Sequence, residues 1–187
     1  MPVFCQLGCD KYVKHQDKSD FEKRHFYDNP KEYVSIFDPY YKAADIFING
    51  IYWDNDAPAF FTKEEMKQDD FNIKVISDVT CDIAPVSSIP STLMASTIAD
   101  PVFGYDPISE QMVEPYQESS IDMMTIDNLP NELPRDASED FGNQFQEHVI
   151  EELINDKNKM IYNASITTKE GKLNKPYLYL KDYINID

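Results

Sequence analysis

Between Asp78 and Asp82 the chain sets two carboxylates, a hydroxyl and a thiol together, in the run Asp78-Val79-Thr80-Cys81-Asp82. The stretch leading into them, Lys74 to Val79, carries Val75, Ile76 and Val79, the β-branched side chains of a strand buried on both faces of a parallel sheet. Open α/β sheets gather their ligands at the carboxyl ends of their strands, so this corner reads as the rim of a binding crevice. The plainer alternative is that Asp78 and Asp82 only cap a strand end by accepting backbone amides.

Several elements must position that corner. Asp45 to Tyr52 (DIFINGIY) is a second apolar, β-prone run, with Gly50 near its end. Between the two strands Thr62 and Glu65 have capping-box spacing, which predicts a short helix ending near Asp70. Upstream, Pro30 suits the first turn of a helix through about Ala44, with Tyr33, Ile36, Phe37, Tyr40 and Tyr41 on one face and a break at Pro39. Pro2 to Leu7 reads as a strand, and Lys11 to Asn29 as a long excursion holding a small hairpin. Strand, helix, strand, helix, strand in that order builds a parallel sheet.

Beyond Asp82 the texture changes. Pro85, Pro90, Pro101 and Pro107 predict a long loop, followed by strands at Gln111 to Val113 and Ile121 to Ile126 arranged as a hairpin. Pro134 to Lys157 has an amphipathic helical pattern through Phe141, Phe145, Val149 and Leu153. Tyr162 to Ile166 reads as a strand, Lys169 to Lys172 as a turn, and Pro176 to Ile184 as a closing helix whose Tyr177, Tyr179 and Tyr183 serve packing.

Composition narrows the function classes. With 34 acidic against 17 basic side chains and a net charge of −17, the chain repels polyanions, so no nucleic-acid partner is expected. No apolar run approaches membrane-span length and the N-terminus lacks signal-peptide character, which makes the cytoplasm the expected location and excludes a membrane partner. The three cysteines, Cys5, Cys9 and Cys81, form no disulfide framework. Cys5, Cys9 and His15 match no zinc-motif spacing, so no metal site is expected. The five glycines are scattered, and the clustered glycines of a dinucleotide-binding turn are absent.

At four segments the sequence resembles a known family. ADIFINGIYW (Ala44 to Trp53), VISDVTCDI (Val75 to Ile83), STIADPVFGYDP (Ser96 to Pro107) and TIDNLPNELPRDAS (Thr125 to Ser138) are similar to the lysine-ketoglutarate reductase and lysine-forming saccharopine dehydrogenase family. That family is a branch of the alanine dehydrogenase and transhydrogenase C-terminal superfamily. The resemblance implies an α/β fold: a truncated Rossmann-like parallel sheet with flanking helices, lacking the first βα unit, plus a C-terminal helical appendage. Residues 1–137 become a partial NAD(P)-binding domain, and 138–187 a helix and tail that pack on an absent N-terminal domain.

Position by position, the resemblance implies that Tyr52, Val79, Ile126, Asp127, Asn128 and Leu129 contact NAD or NADP. Thr80, Cys81 and Asp82 line an amino-acid or oxo-acid substrate, and Asp82 is the candidate catalytic group. Cys81 departs from the small residue often found at its position, which leaves the substrate open. The catalytic Lys and His of the family's N-terminal domain have no counterpart here. The chain therefore corresponds to the C-terminal part of an NAD(P)-dependent amino-acid oxidoreductase and is expected to be inactive alone. Two alternatives stand beside it: a non-catalytic remnant, and a module that completes its sheet with a second copy or a separate N-terminal half. Tyr52 as a core aromatic, Asp127-Asn128 as an ordinary turn and His148 as a structural residue are the corresponding plain readings.

Overall fold

A computed structural model describes residues 3–17, 20–155 and 159–184, in two compact units, Met1–Leu129 and Pro130–Asp187. Within the first unit, chain order runs α1 (Cys9–Tyr12), β1 (Val13–His15), α2 (Lys23–Asp28), β2 (Tyr33–Ser35), α3 (Asp38–Ala43), β3 (Ile46–Asn49), α4 (Lys63–Met66) and β4 (Val75–Asp78). Strands β5 (Val102–Asp106), β6 (Gln111–Val113) and β7 (Ile121–Met124) follow, β5 forming within the Pro85 to Pro107 stretch expected to be loop.

Five strands form one mixed sheet in the order β3-β4-β7-β5-β6, while β1 and β2 pair antiparallel as a separate ribbon. β3, β4 and β7 run parallel, as the αβ alternation upstream requires. β5 lies antiparallel to both β6 and β7. The sheet is thus mixed where an all-parallel one was expected. β6 pairs with β5 and not with β7, because Pro107 to Glu110 makes a tight turn that folds β6 straight back onto β5, with Asp106 accepting from the Ile108 amide and the Ser109 hydroxyl. Register explains the core. Phe47, Ile76, Met123 and Phe103 stand in one row across four strands, on the face that an aromatic cluster covers. Phe37, Tyr41, Phe60, Phe61 and Phe71 supply that cluster, with Phe37 and Phe60 centroids 4.9 Å apart and Tyr41 stacked on Phe71 at 5.0 Å.

The opposite row is another matter. Ile46 and Ile48 of β3 are 62% and 69% exposed, and Val79 is exposed beyond the end of β4. Burial on both faces, expected of Val75, Ile76 and Val79, holds for Ile76 alone: Val75 is half-buried and Val79 exposed.

Local rules hold where sequence chemistry is strong. Thr62 accepts from the Glu65 amide while the Glu65 carboxylate accepts from the Thr62 amide, the reciprocal cap expected at the start of α4. Glu110 in the β5–β6 turn takes both Lys63 (2.9 Å) of that helix and Lys67 (2.7 Å) at its C-cap. They fail where a pattern was ambiguous. The stretch from Pro30 is a single 3-10 turn, then β2, then α3 with Pro39 in its first turn, because a strand partner for Tyr33 to Ser35 exists in β1. Val3 to Leu7 carries no regular element, and Pro2 lies outside the described residues.

The second unit, taken by itself, begins with α5 (Pro134–Phe145), which passes through a π-helical segment at Gln146–Ile150 into α6 (Glu151–Asn155). The expected end of that helix, at Lys157, lies outside the described residues. Met160–Ala164 is a helix, α7, in place of the expected strand. Asn174 is buried and ties the tail together, its amide nitrogen donating to the Tyr162 and Ser165 carbonyls at 2.7 and 3.2 Å. The closing segment is a 3-10 helix, Lys175–Tyr183, on which Tyr179 and Tyr183 are exposed and not packed as expected. No helix among the described residues is long and apolar enough to cross a membrane.

Candidate functional site

The Asp78 to Asp82 corner is built on a buried polar network at the tips of β3 and β4. Asn49 and Asp78 are paired in register, and both are buried. The Asn49 amide donates to Asp78 Oδ1 and to Ser88 Oγ, each at 2.9 Å, and the Thr92 hydroxyl donates to Asp78 Oδ2 at 2.6 Å. The Cys81 amide donates to Asp78 Oδ1 at 3.3 Å. Asp78 therefore fulfils the plain reading: it is a strand-end cap whose lone pairs are taken up by the protein.

That cap shapes the turn beyond it. Cys81 adopts a left-handed backbone conformation (φ 54°), unusual for a residue with a Cβ, and this turns its side chain across to β7. Its thiol donates to the Thr125 carbonyl at 3.1 Å. Burial, then the negative charges of Asp78, Asp127 and Asp82, push the Cys81 thiol up, so it is a hydrogen-bonding thiol and not a thiolate nucleophile. The Thr80 hydroxyl donates to the Ile51 carbonyl at 3.0 Å, which joins the corner to the segment after β3.

Thr125 is itself locked: its amide donates to Ser96 Oγ at 3.0 Å, its hydroxyl to the Met94 carbonyl at 2.7 Å, and Ile126 bridges Ser96 in parallel. Cys81 is thereby brought beside the Thr125 to Asp127 turn, while Thr80 faces the segment after β3. Asp82 is partly exposed at the corner, and burial followed by the Asp78 charge raises its carboxyl above the ordinary aspartate value. Among the remaining positions Asp127 and Asn128 are exposed, Leu129 is half-buried and Ile126 is buried. Tyr52 is 94% exposed, which overturns its alternative as a core aromatic. His148, in the second unit, is exposed.

Tyr52, though almost wholly exposed, borders a largely apolar cavity of about 490 Å³ lined by Tyr12, Phe26, Tyr27, Ile51 and Trp53, between the segment after β3 and the N-terminal helices. Burial pushes the Tyr12 hydroxyl up to about 12, so it is neutral there, and Lys23 supplies a cation to the lining. An aromatic-walled cavity of this size suits a planar heterocycle held by stacking, with a nearby cation for a phosphate. Gly8 is the one glycine in its lining, and the clustered glycines of a pyrophosphate-binding turn are not there. This cavity was not anticipated beyond Tyr52, because its walls come from Cys9, Tyr12, Phe26 and Trp53, far apart in the chain.

The chain has a mixed α/β sheet with polar groups gathered at the tips of its parallel strands, and its homologues are oxidoreductases of lysine metabolism. It is 27% identical to an alpha-aminoadipic semialdehyde synthase of Arabidopsis thaliana over 146 residues, 74% of this chain and 13% of that protein. A mitochondrial alpha-aminoadipic semialdehyde synthase of Rattus norvegicus is 28% identical over 181 residues, 81% of this chain and 19% of that protein. The NAD(+)-linked, L-lysine-forming saccharopine dehydrogenase of Neurospora crassa is 31% identical over 100 residues, 53% of this chain and 25% of that protein. The chain thus spans a quarter or less of the length of these relatives. No family model matches it.

Proposed function

We propose that this chain forms part of the active site of a nicotinamide-dependent oxidoreductase that transfers hydride at a carbon–nitrogen bond of an amino acid, of the saccharopine and lysine or alanine type. The observation that carries the reading is the tie between Cys81 and Thr125, which gathers the substrate-side corner and the Ile126 to Leu129 turn at the carboxyl tips of three parallel strands. Asp82, with its raised carboxyl, holds or deprotonates the substrate nitrogen; Thr80 and Cys81 shape the pocket; Tyr52, Val79 and Ile126 to Leu129 seat NAD or NADP. The cofactor supplies the hydride chemistry when bound. Turnover depends on further residues, including the phosphate-binding turn and a Lys and His, contributed by chain outside these residues or by a second polypeptide.

Trp53, the single tryptophan, lines the ring cavity and reports on it. Energy transfer from Trp53 to NADH, measured for the native chain and for Tyr52→Ala, is expected to show weak binding that the substitution reduces further. Joined to the preceding half of a relative, the chain is expected to oxidise NADH with lysine and 2-oxoglutarate, and Asp82→Asn to lower kcat by about 10²-fold or more. No NADH oxidation with that pair, or with pyruvate and ammonia, rejects the proposal. A second reading, a non-catalytic module that completes its sheet with another chain, draws on the open edge of β3. Concentration-dependent association without NADH binding favours it.

A further inference from the structure

Away from the strand tips, the ribbon of β1 and β2 and the helix α2 between its strands carry two of the three histidines. His15 ends β1, His25 lies in α2, and Glu32 closes the 3-10 turn that leads into β2. Glu32 Oε2 sits 3.1 Å from His15 Nε2 and 3.8 Å from His25 Nε2, and one ligand atom from each residue lies within 4.8 Å of the other two. A metal ion held at roughly 2.0–2.2 Å from nitrogen and oxygen donors needs those donors about 3.3–3.6 Å apart in tetrahedral geometry, so only small adjustments separate this triangle from a coordination site.

The surroundings orient the donors. Tyr33, buried beneath the cluster, donates its hydroxyl proton to the Glu22 carbonyl at 3.5 Å and faces His25 Nδ1 at 3.2 Å. With the Tyr33 proton on Glu22, its oxygen is free to accept from His25 Nδ1–H, the tautomer that a cation on His25 Nε2 selects. Tyr33 also meets the His15 ring edge-on at 5.2 Å. His15 is arranged differently: its Nδ1 accepts from the Asp17 amide at 3.1 Å, so its Nε2 proton is donated to Glu32. Binding a cation moves that proton to Nδ1 and releases the Asp17 amide, which is exposed and passes to water. The His15 side chain is 11% exposed and that of Glu32 52%, so one side of the triangle opens to solvent.

We propose that His15, His25 and Glu32 form a zinc site with one solvent-filled position, clipping β1, α2 and the start of β2 together. Two imidazoles and one carboxylate are borderline donors that suit zinc and discriminate against calcium and magnesium, which prefer all-oxygen shells. The site closes a loop of 17 residues in sequence and is separate from the Asp78 to Asp82 corner; it does not depend on the oxidoreductase reading. The spacing of Cys5, Cys9 and His15 matches no zinc motif, and Cys9 lines the aromatic-walled cavity.

The test is titration of the metal-free full chain with Zn2+ by calorimetry, and with Co2+ by its visible ligand-field bands. One ion per chain with a Kd of about 1 μM or tighter is expected, with Mg2+ and Ca2+ unable to compete. His25→Ala and Glu32→Gln are each expected to weaken Zn2+ by about 10²-fold, and Tyr33→Phe, a positioning change, by about 10-fold. Glu32→Gln alters a half-exposed side chain and keeps the test decisive where His25→Ala fails to fold. His148→Gln and the Cys5→Ser, Cys9→Ser pair are expected to bind as the native chain does. No uptake by the folded chain at about 100 μM Zn2+ overturns the proposal, as does a thiolate-to-Co2+ charge-transfer band or undiminished binding by Glu32→Gln.

Discussion

Asp78 and Asp82 flank one turn and have opposite environments. Asp78 is buried under three donors, from Asn49, Thr92 and Cys81, and Asp78→Ala leaves the Thr92 hydroxyl, the Cys81 amide and one of the two Asn49 N–H groups without that acceptor. A loss of about 2–4 kcal/mol in chemical denaturation is expected, with the midpoint falling and the m-value unchanged. Asp82 is the reverse case. Its carboxyl is raised by burial first and by Asp78 second, so the folded state favours the protonated form. That stability is fully present below the unfolded value near 3.8 and is lost as pH rises through the raised folded value. At pH 7 the ionised group therefore costs stability. Asp82→Asn is expected to unfold at a higher temperature than the native chain at pH 7, by a gain within about 1 kcal/mol, and to match it below about pH 3.8. Equal melting curves at both pH values would count against the raised carboxyl. The one substitution thus adds stability and removes the proposed acid–base group, a trade expected at active sites.

At the scale of elements, the hairpin of β5 and β6 depends on a close approach. A Cβ built on Gly104 meets the Glu114 carbonyl oxygen at 2.5 Å and Val113 Cγ2 at 2.9 Å, and the first of these is backbone that cannot swing aside. Gly104→Ala is expected to destabilise the chain by about 1–3 kcal/mol, with the amides of β5 and β6 losing protection from hydrogen exchange before those of β3 and β4. Elements with strong local chemistry were legible in the sequence. The Thr62–Glu65 box, the strands around Ile48 and Ile76, and the strand-end position of Asp78 to Asp82 all derive from local chemistry. Tyr33 to Ser35 was not legible as a strand, since its partner Val13 to His15 lies across a long excursion and its aromatic spacing equally fits a helix. β5 itself was hidden for a similar reason: Val102 to Asp106 lies inside the Pro85 to Pro107 stretch, and Pro-rich sequence marks a loop and says nothing of the strands that pair within it. In the site, residue types located the corner, but the bond from Cys81 to Thr125 required the left-handed turn at Cys81, which a non-glycine residue does not advertise.

For the whole molecule, the charge of −17 is a distributed strain on compactness. Raising NaCl from ~20 mM to ~0.5 M shortens the screening length to a few ångströms, and an increase in Tm of ~2–5 °C is expected by differential scanning fluorimetry. A fall in Tm would show that the ion pairs around Glu110 outweigh the general repulsion.

The same electrolyte acts on β3 in the opposite sense. Ile46 and Ile48 lie bare on the outermost strand, unguarded by lysine or proline, and mutual repulsion between copies is what keeps such ribbons from stacking. Turbidity in concentrated samples should therefore climb as brine is added, even while each molecule melts later, and Ile48→Lys should keep those samples clear. Storage conditions for this polypeptide are then a compromise between thermal endurance and colloidal clarity.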